Sequence, residues 1–322
     1  MTHIRIKRLL WIIAGVTLLY GVTLRAGWWS SDFDALRARY AAPPSRFITV
    51  DGVPMHVRDE GQGPVLVLLH GSIANLHEWD PVAAILKKKY RVVRLDWPPY
   101  GLSGPDPTGV YSTARAAELV AGVVDATHLP PIILIATSNG GNVALQYNLH
   151  HADRVRALAF SILPLERPSQ TRAVDWRFRV LGPVHRAVLP DYHFRWWYRL
   201  ILLDTSGPGF VPTQDMVDMF YGMNNLPGAA QRQRQYIDSN TRLFKAGDIG
   251  SEVAAAVTVP VLLQWCERDT VISQSAADTV RRFVHSQVEL IRYRNIGHFP
   301  MWEAPERFTS DLERFLERVS AP

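Results

Sequence analysis

One serine stands where a nucleophile could be exposed. In the stretch I-I-L-I-A-T-S-N-G-G, from Ile132 to Gly141, an apolar β-branched run breaks off abruptly into small residues around Ser138. Ile132 to Ile135 has the composition of a fully buried parallel strand, and Asn142 to Leu145 can begin a helix, so Ser138 falls on a sharp strand-to-helix turn. The nucleophile elbow G-x-S-x-G has this shape; it holds the hydroxyl clear of the backbone and aims the next residue's N–H at a developing oxyanion. Ala136 occupies its first glycine position.

Serine is a poor nucleophile until a base removes its proton, and the base needs an acid to fix its tautomer. Of eleven histidines, His298 lies in the loop after the last apolar strand, where Gly297 lets the chain turn the ring inward. Asp269 closes the turn Cys266-Glu267-Arg268-Asp269 after the preceding strand. Glu267 is the nearest rival, but a carboxylate right at a strand's end reads as an outward-facing turn residue.

Positioning these groups requires strands that end on one edge. Phe47 to Val50 and Met55 to Val57 flank Asp51-Gly52, the signal of an antiparallel hairpin. Apolar strands are predicted at Val65 to Leu69, Tyr90 to Leu95, Ile132 to Ile135, Val155 to Leu163, Val261 to Trp265 and Val288 to Tyr293. Helices are predicted at Glu78 to Lys89, Thr113 to Ala126, from Asn139, Ser273 to Val284 and Pro305 to Val319. Alternation of this kind argues an α/β fold, a doubly wound, mostly parallel sheet with a mixed edge. From Pro164 to about Val253 the rhythm stops in a helical, proline-broken, arginine- and aromatic-rich segment, too long for a plain loop and therefore an inserted helical cap. Its aromatics, among them Trp176, Trp196, Trp197 and Phe220, suit an apolar access tunnel, the cap's own core, or a cap face resting on a membrane.

With these residues in place the chain resembles the α/β-hydrolase fold family from about Arg46 to the C-terminus, the cap excepted. Five blocks carry the likeness: the Ser138 turn; G-H-F-P-M-W-E-A-P-E from Gly297; P-V-L-L-Q-W-C-E-R-D from Pro260; L-L-H-G-S-I-A-N-L-H-E-W from Leu68; and D-W-P-P-Y-G-L-S-G-P from Asp96. Cys266 and Pro99 replace glycines the family commonly has. The order Ser138, Asp269, His298 is the family's order of nucleophile, acid and base. The resemblance further implies an oxyanion hole built from the backbone N–H groups of Ser72 and Asn139. His70 reads as a structural turn residue, Trp79 as packing and Cys266 as a small buried hydrophobe. A serine at the elbow argues against the dehalogenase and epoxide-hydrolase branches, which use aspartate. What remains is hydrolysis of an apolar ester, thioester or lactone through an acyl-enzyme. The alternatives are cleavage of a C–C bond in a vinylogous keto acid by the same triad, and a non-catalytic interaction domain.

The rest of the chain sets bounds. At 322 residues it can bury a large core. The formal charge of +5 comes mainly from scattered arginines without a nucleic-acid motif, so no nucleic-acid partner is expected. One cysteine excludes an internal disulfide and a cysteine-based zinc site, and neither metal nor cofactor is expected. Arg5, Lys7 and Arg8 precede sixteen uncharged residues, Leu9 to Leu24, followed by Arg25, Trp28 and Trp29. These flanks predict an uncleaved transmembrane anchor, with a cleaved signal peptide or a buried helix as alternatives, and a catalytic domain held at the membrane on its extracytoplasmic side, periplasmic in a Gram-negative bacterium. The expected organisation is an anchor over 1–29, a linker over 30–45, a hydrolase core from 46–163 and 254–322, and a cap over 164–253.

Overall fold

The computed structural model describes residues 2–25, 27–165, 176–177, 180–183, 191–246, 249–272 and 281–320. Eight strands, β1 (Ser45–Val50), β2 (Val53–Glu60), β3 (Val65–Leu69), β4 (Arg91–Leu95), β5 (Ile132–Thr137), β6 (Val155–Ser161), β7 (Val261–Cys266) and β8 (Val288–Tyr293), form one sheet in the order β1-β2-β4-β3-β5-β6-β7-β8. The β1–β2 hairpin turns at Asp51 (φ 48°) and Gly52 (φ 80°), the left-handed pair that a tight two-residue hairpin requires. β2 pairs antiparallel with β1 and β4, and every later neighbour pair is parallel. The expected mostly parallel sheet with a mixed edge is what forms.

Both faces of the parallel strands are covered. In β3, Val65, Val67 and Leu69 join one core, while Leu66 and Leu68 join the other, as alternation along a strand demands. The first core is completed by Ala116, Val120 and Val124 of helix Thr113–Ala126, which is capped by the Ser112 side chain. The second is completed by Val82 and Leu86, and by Phe308, Leu312, Phe315 and Leu316 of the closing helix Pro305–Ser320, whose spacing puts them on one stripe.

The predicted helix over Glu78 to Lys89 is divided. A 3-10 turn, Leu76–Trp79, precedes an α-helix, Asp80–Leu86, because the Asn75 side chain accepts from the His77 N–H and Pro81 sits in the helix's first turn. The predicted helix from Ser273 to Val284 lies largely outside the described residues. Between β6 and β7 the described chain forms helices Arg195–Thr205, Gln214–Asn224, Ala229–Ala246 and Ile249–Ala255. Phe220, Trp197 and Tyr198 of this insertion are buried, whereas Trp176 and Trp196 are exposed, so a good part of its aromatic content is packing.

The N-terminal expectation is corrected. Thr2–Arg25 is one helix of 24 residues, yet no helix among the described residues is long and apolar enough to cross a membrane. The sixteen uncharged residues between Arg8 and Arg25 rise roughly 24 Å as a helix, short of the ~30 Å hydrocarbon core. Gly15, Thr17, Gly21 and Thr23 dilute the run further, and the Thr17 hydroxyl donates to the Ile13 carbonyl. The expected transmembrane anchor is therefore not found, and the membrane partner and periplasmic placement that depended on it fall with it. The following helix, Phe33–Tyr40, docks on the insertion: Arg39 pairs with Asp215 at 2.6 Å, and Ser31 N–H donates to the Asn225 carbonyl at 2.8 Å.

Candidate active site

The carboxyl ends of the parallel strands converge on one edge. β3 ends at Leu69 beside Ala136 of β5, so the His70-Gly71 turn and the Ser138 turn are neighbours. β7 and β8 end side by side at Cys266 and Tyr293, which brings the loops carrying Asp269 and His298 together. Crevices at such strand ends are where open α/β sheets bind ligands.

Ser138 sits between β5 and helix Asn139–His150 at φ 49°, ψ −132°. Conformations of this kind cost a non-glycine residue about 1–3 kcal/mol and persist only where the surroundings enforce them. Here the Ser138 N–H donates to the Ser161 carbonyl of β6 at 3.0 Å, and its own carbonyl accepts from the Gly141 N–H at 2.8 Å. Glycine is required at Gly140, and the packing is tight at Gly71 as well. A Cβ on Gly71 would stand 3.2 Å from the Ser138 Cβ, and one on Gly140 would stand 2.4 Å from the His70 carbonyl oxygen. Ala136 is fully buried within β5, in register with Phe160 of β6.

The two residues expected to flank an oxyanion meet, since Asn139 Nδ2 donates to Ser72 Oγ at 2.9 Å. His298 Nδ1 lies 2.6 Å from Asp269 Oδ2, and Asp269 Oδ1 accepts from the Val271 and Ile272 N–H groups at 2.6 and 3.0 Å. An Nδ1–H donated to that carboxylate leaves Nε2 as the basic nitrogen. Burial works to lower the imidazole pKa, but the adjacent Asp269, with Glu78 and Glu303, raises it above its usual value. His70 is buried, with Nδ1 2.7 Å from the Gly71 carbonyl, and burial pushes its pKa down; it is a structural residue, as expected. Trp79 is core, and burial pushes the Cys266 thiol well up, away from reactivity.

Three features escaped the sequence. Glu303 Oε2 accepts from both Gly297 and Gly207 N–H groups at 2.9 and 2.8 Å, and Oε1 accepts from the Phe299 N–H at 3.1 Å. With the His298 N–H donating to the Thr205 carbonyl at 2.7 Å, the histidine loop is stitched to the inserted helix Arg195–Thr205. Second, Glu78 is a buried carboxylate beside this site. Third, another Ser-His-Asp geometry exists: Ser45 Oγ lies 2.9 Å from His56 Nε2, and His56 Nδ1 2.8 Å from Asp96 Oδ2. Its setting is structural. Asp96 also accepts from the Leu76 and Leu102 N–H groups, both at 2.7 Å, and so pins the Asp96-Ser103 loop and the turn after β3. Although burial opposes its ionisation, the facing His56, the nearby His70 and the Leu102 N–H hold its carboxyl below the usual range.

The sheet order, the strained strand-to-helix turn and the acid-base pair at the strand ends define an α/β-hydrolase-fold enzyme. Residues 64–180 match the sequence family described as alpha/beta hydrolase fold, and the sheet has that fold's architecture. It is 25% identical to the pimeloyl-[acyl-carrier protein] methyl ester esterase of Nitrosomonas europaea, over 80% of this chain and 97% of that protein. It is 25% identical to the 2-hydroxy-6-oxononadienedioate/2-hydroxy-6-oxononatrienedioate hydrolase of Escherichia coli, over 86% of this chain and 97% of that protein. Among solved structures, a membrane phospholipase A, reported as a bacterial virulence factor, superposes with a TM-score of 0.71 over 100% of both chains at 22% identity.

Proposed function

We propose that this enzyme is a serine hydrolase of small apolar carboxylic esters, with Ser138 as nucleophile, His298 as base and then acid, Asp269 as the group that orients His298, and the Ser72 and Asn139 N–H groups as oxyanion donors. The observation that carries the reading is the His298 Nδ1–Asp269 contact of 2.6 Å at the same sheet edge as Ser138. In this scheme Ser138 Oγ attacks the ester carbonyl carbon as its proton passes to His298 Nε2. The alkoxide leaves with that proton, giving an alcohol and an acyl-serine. Water then attacks the acyl carbon, His298 takes its proton and returns it to Ser138 Oγ, and the carboxylic acid departs. Each negative tetrahedral oxygen is held by the two donors, and losing one such donor typically costs about two to three orders of magnitude in rate.

The division of the chain into a hydrolase core (46–163 and 254–322), a cap (164–253) and a linker (30–45) belongs to the same proposal; the cap would select the substrate. Hydrolysis of a C–C bond in a vinylogous keto acid is the second reading, favoured by the dienedioate hydrolase relative. One experiment tests both. A fluorophosphonate should label the folded protein at Ser138 and not at Ser45, as mapped by peptide mass spectrometry, and Ser138→Ala should abolish turnover. A panel of p-nitrophenyl esters, lactones and a dienoic keto acid should show ester turnover fastest. A folded sample that takes no label at Ser138 overturns the serine mechanism, and faster turnover of the keto acid overturns the ester assignment in favour of the second.

A further inference from the structure

The strongest feature outside the assigned groups is Glu78, which the proposed scheme does not use. It is only 1% exposed and lies on the 3-10 turn Leu76–Trp79. That turn is fixed at both ends: the Leu76 N–H donates to Asp96 Oδ1 at 2.7 Å, and the Glu78 N–H donates to the Asn75 carbonyl at 2.9 Å. From this rigid base the side chain reaches back to the His-Gly turn, where Glu78 Oε2 accepts from the Gly71 N–H at 3.0 Å. Gly71 is the residue packed against Ser138, and it immediately precedes Ser72, the proposed oxyanion donor. An unpartnered buried carboxylate would be costly, so this bond fixes the loop and the carboxylate together.

The turn that carries this carboxylate also packs against helix Pro300–Glu303, which begins two residues after His298, so the carboxylate lies near the base. Its charge acts on His298, to which Asp269 presents a carboxylate from the β7 loop and Glu303 from helix Pro300–Glu303. His77, next to Glu78, is turned elsewhere, with its ring nitrogens on Asp80 and the Tyr40 carbonyl. Burial raises the Glu78 carboxyl to about 7, so it changes charge in the pH range where the base must also titrate.

Resting on the serine-hydrolase reading, we infer that Glu78 is a positioning residue that locks the oxyanion loop through the Gly71 N–H and places a carboxylate charge beside His298. The two roles separate chemically. Glu78→Gln keeps an acceptor for Gly71 and removes the charge; Glu78→Leu removes both.

The test measures kcat and KM for a p-nitrophenyl butyrate substrate between pH 5 and 9 on the full chain, with thermal melting of each variant as a check on folding. For Glu78→Gln the acid limb of kcat/KM should move to lower pH by about half a unit or more, because one of three negative charges raising His298 is gone, while KM stays within about threefold. For Glu78→Leu, kcat should fall about 100-fold with KM again nearly constant, the signature of an interaction made in the transition state. A Glu78→Gln profile superimposable on the wild type overturns the electrostatic role, and Glu78→Leu with kcat within about threefold of wild type overturns the loop-locking role. If Glu78→Leu does not fold, the Glu78→Gln profile decides. Ser138→Ala, assayed in parallel, separates the two levels: an inactive Ser138→Ala with unaltered Glu78 variants refutes this inference alone, whereas an active Ser138→Ala refutes the serine-hydrolase reading on which it stands.

Discussion

Gly140→Ala is a one-methyl test of how closely the two halves of the proposed oxyanion hole must be held. The new Cβ would stand 2.4 Å from the His70 carbonyl oxygen and 2.8 Å from the Leu69 carbonyl oxygen, where ordinary contact begins at 3.4 Å. Both obstacles are backbone at the end of a central strand, so no side chain can swing aside. Relief requires helix Asn139–His150 to back away from the His70-Gly71-Ser72 turn by about 1 Å, the difference between those distances. That movement separates Ser72 from Asn139, the proposed pair of donors. A displacement of about 1 Å in a reacting constellation costs on the order of 100-fold in rate, about 2.7 kcal/mol of transition-state stabilisation. Overpacking adds a stability loss of about 1–3 kcal/mol. Steady-state hydrolysis of p-nitrophenyl butyrate, measured well below the melting temperature, should therefore show kcat reduced about 100-fold with KM changed less than about threefold. Gly21→Ala, whose Cβ meets nothing within 4 Å, is the control and should match the wild type. A Gly140→Ala enzyme with kcat within about threefold of wild type would falsify the claim that this contact sets the donor spacing.

Two further outcomes test the base and the scaffold. Because the His298 pKa is raised in the folded protein, kcat/KM should fall with acidification along a limb centred above the unperturbed value of about 6.5, and Asp269→Asn should lower kcat by about four orders of magnitude by releasing the tautomer. The sign for stability is opposite: the His298–Asp269 pair stabilises the fold fully below the unfolded histidine pKa and loses that contribution as pH rises through the folded one, so a melt of His298→Gln against wild type should differ more at pH 6 than at pH 9. Asp96→Ala should destabilise by about 3–5 kcal/mol in urea unfolding, since it strips the partner from buried His56 and from two backbone N–H groups. The Asp96 carboxyl is depressed, so its stabilisation is present above about pH 4 and lost as pH falls through the folded pKa; a wild type and variant with parallel acid-unfolding curves would refute that assignment.

Much of the fold was readable along the chain. Strand and helix signals are local: the apolar run before Ser138, the Asp51-Gly52 turn and the Ser112 cap each act within a few residues, and each element forms where those residues stand. The candidate site was readable too, because strands of a parallel sheet deliver their following loops to one edge. Ser138, Asp269 and His298 could be chosen as the residues after three such strands. The N-terminal helix misled because its basic and aromatic flanks were given more weight than the shortness of its sixteen-residue apolar run.

Sequence alone thus determined the order of elements and the residues at the strand ends, since backbone propensity and alternation depend on near neighbours. Only the tertiary structure decided what surrounds them. Glu78 reads as an ordinary polar residue on a helix, but it becomes a buried carboxylate bonded to the Gly71 N–H, on a turn packed against the helix after His298, once β3, β5 and β8 are set in their places in the sheet. Glu303 reaches 96 residues back to Gly207 of the insertion and ties it to Gly297, and Ser45, His56 and Asp96 meet from three separate segments. Burial and the partner of a charged group depend on which distant strands become neighbours, and that follows from the packing of the whole sheet, with no trace in the local pattern.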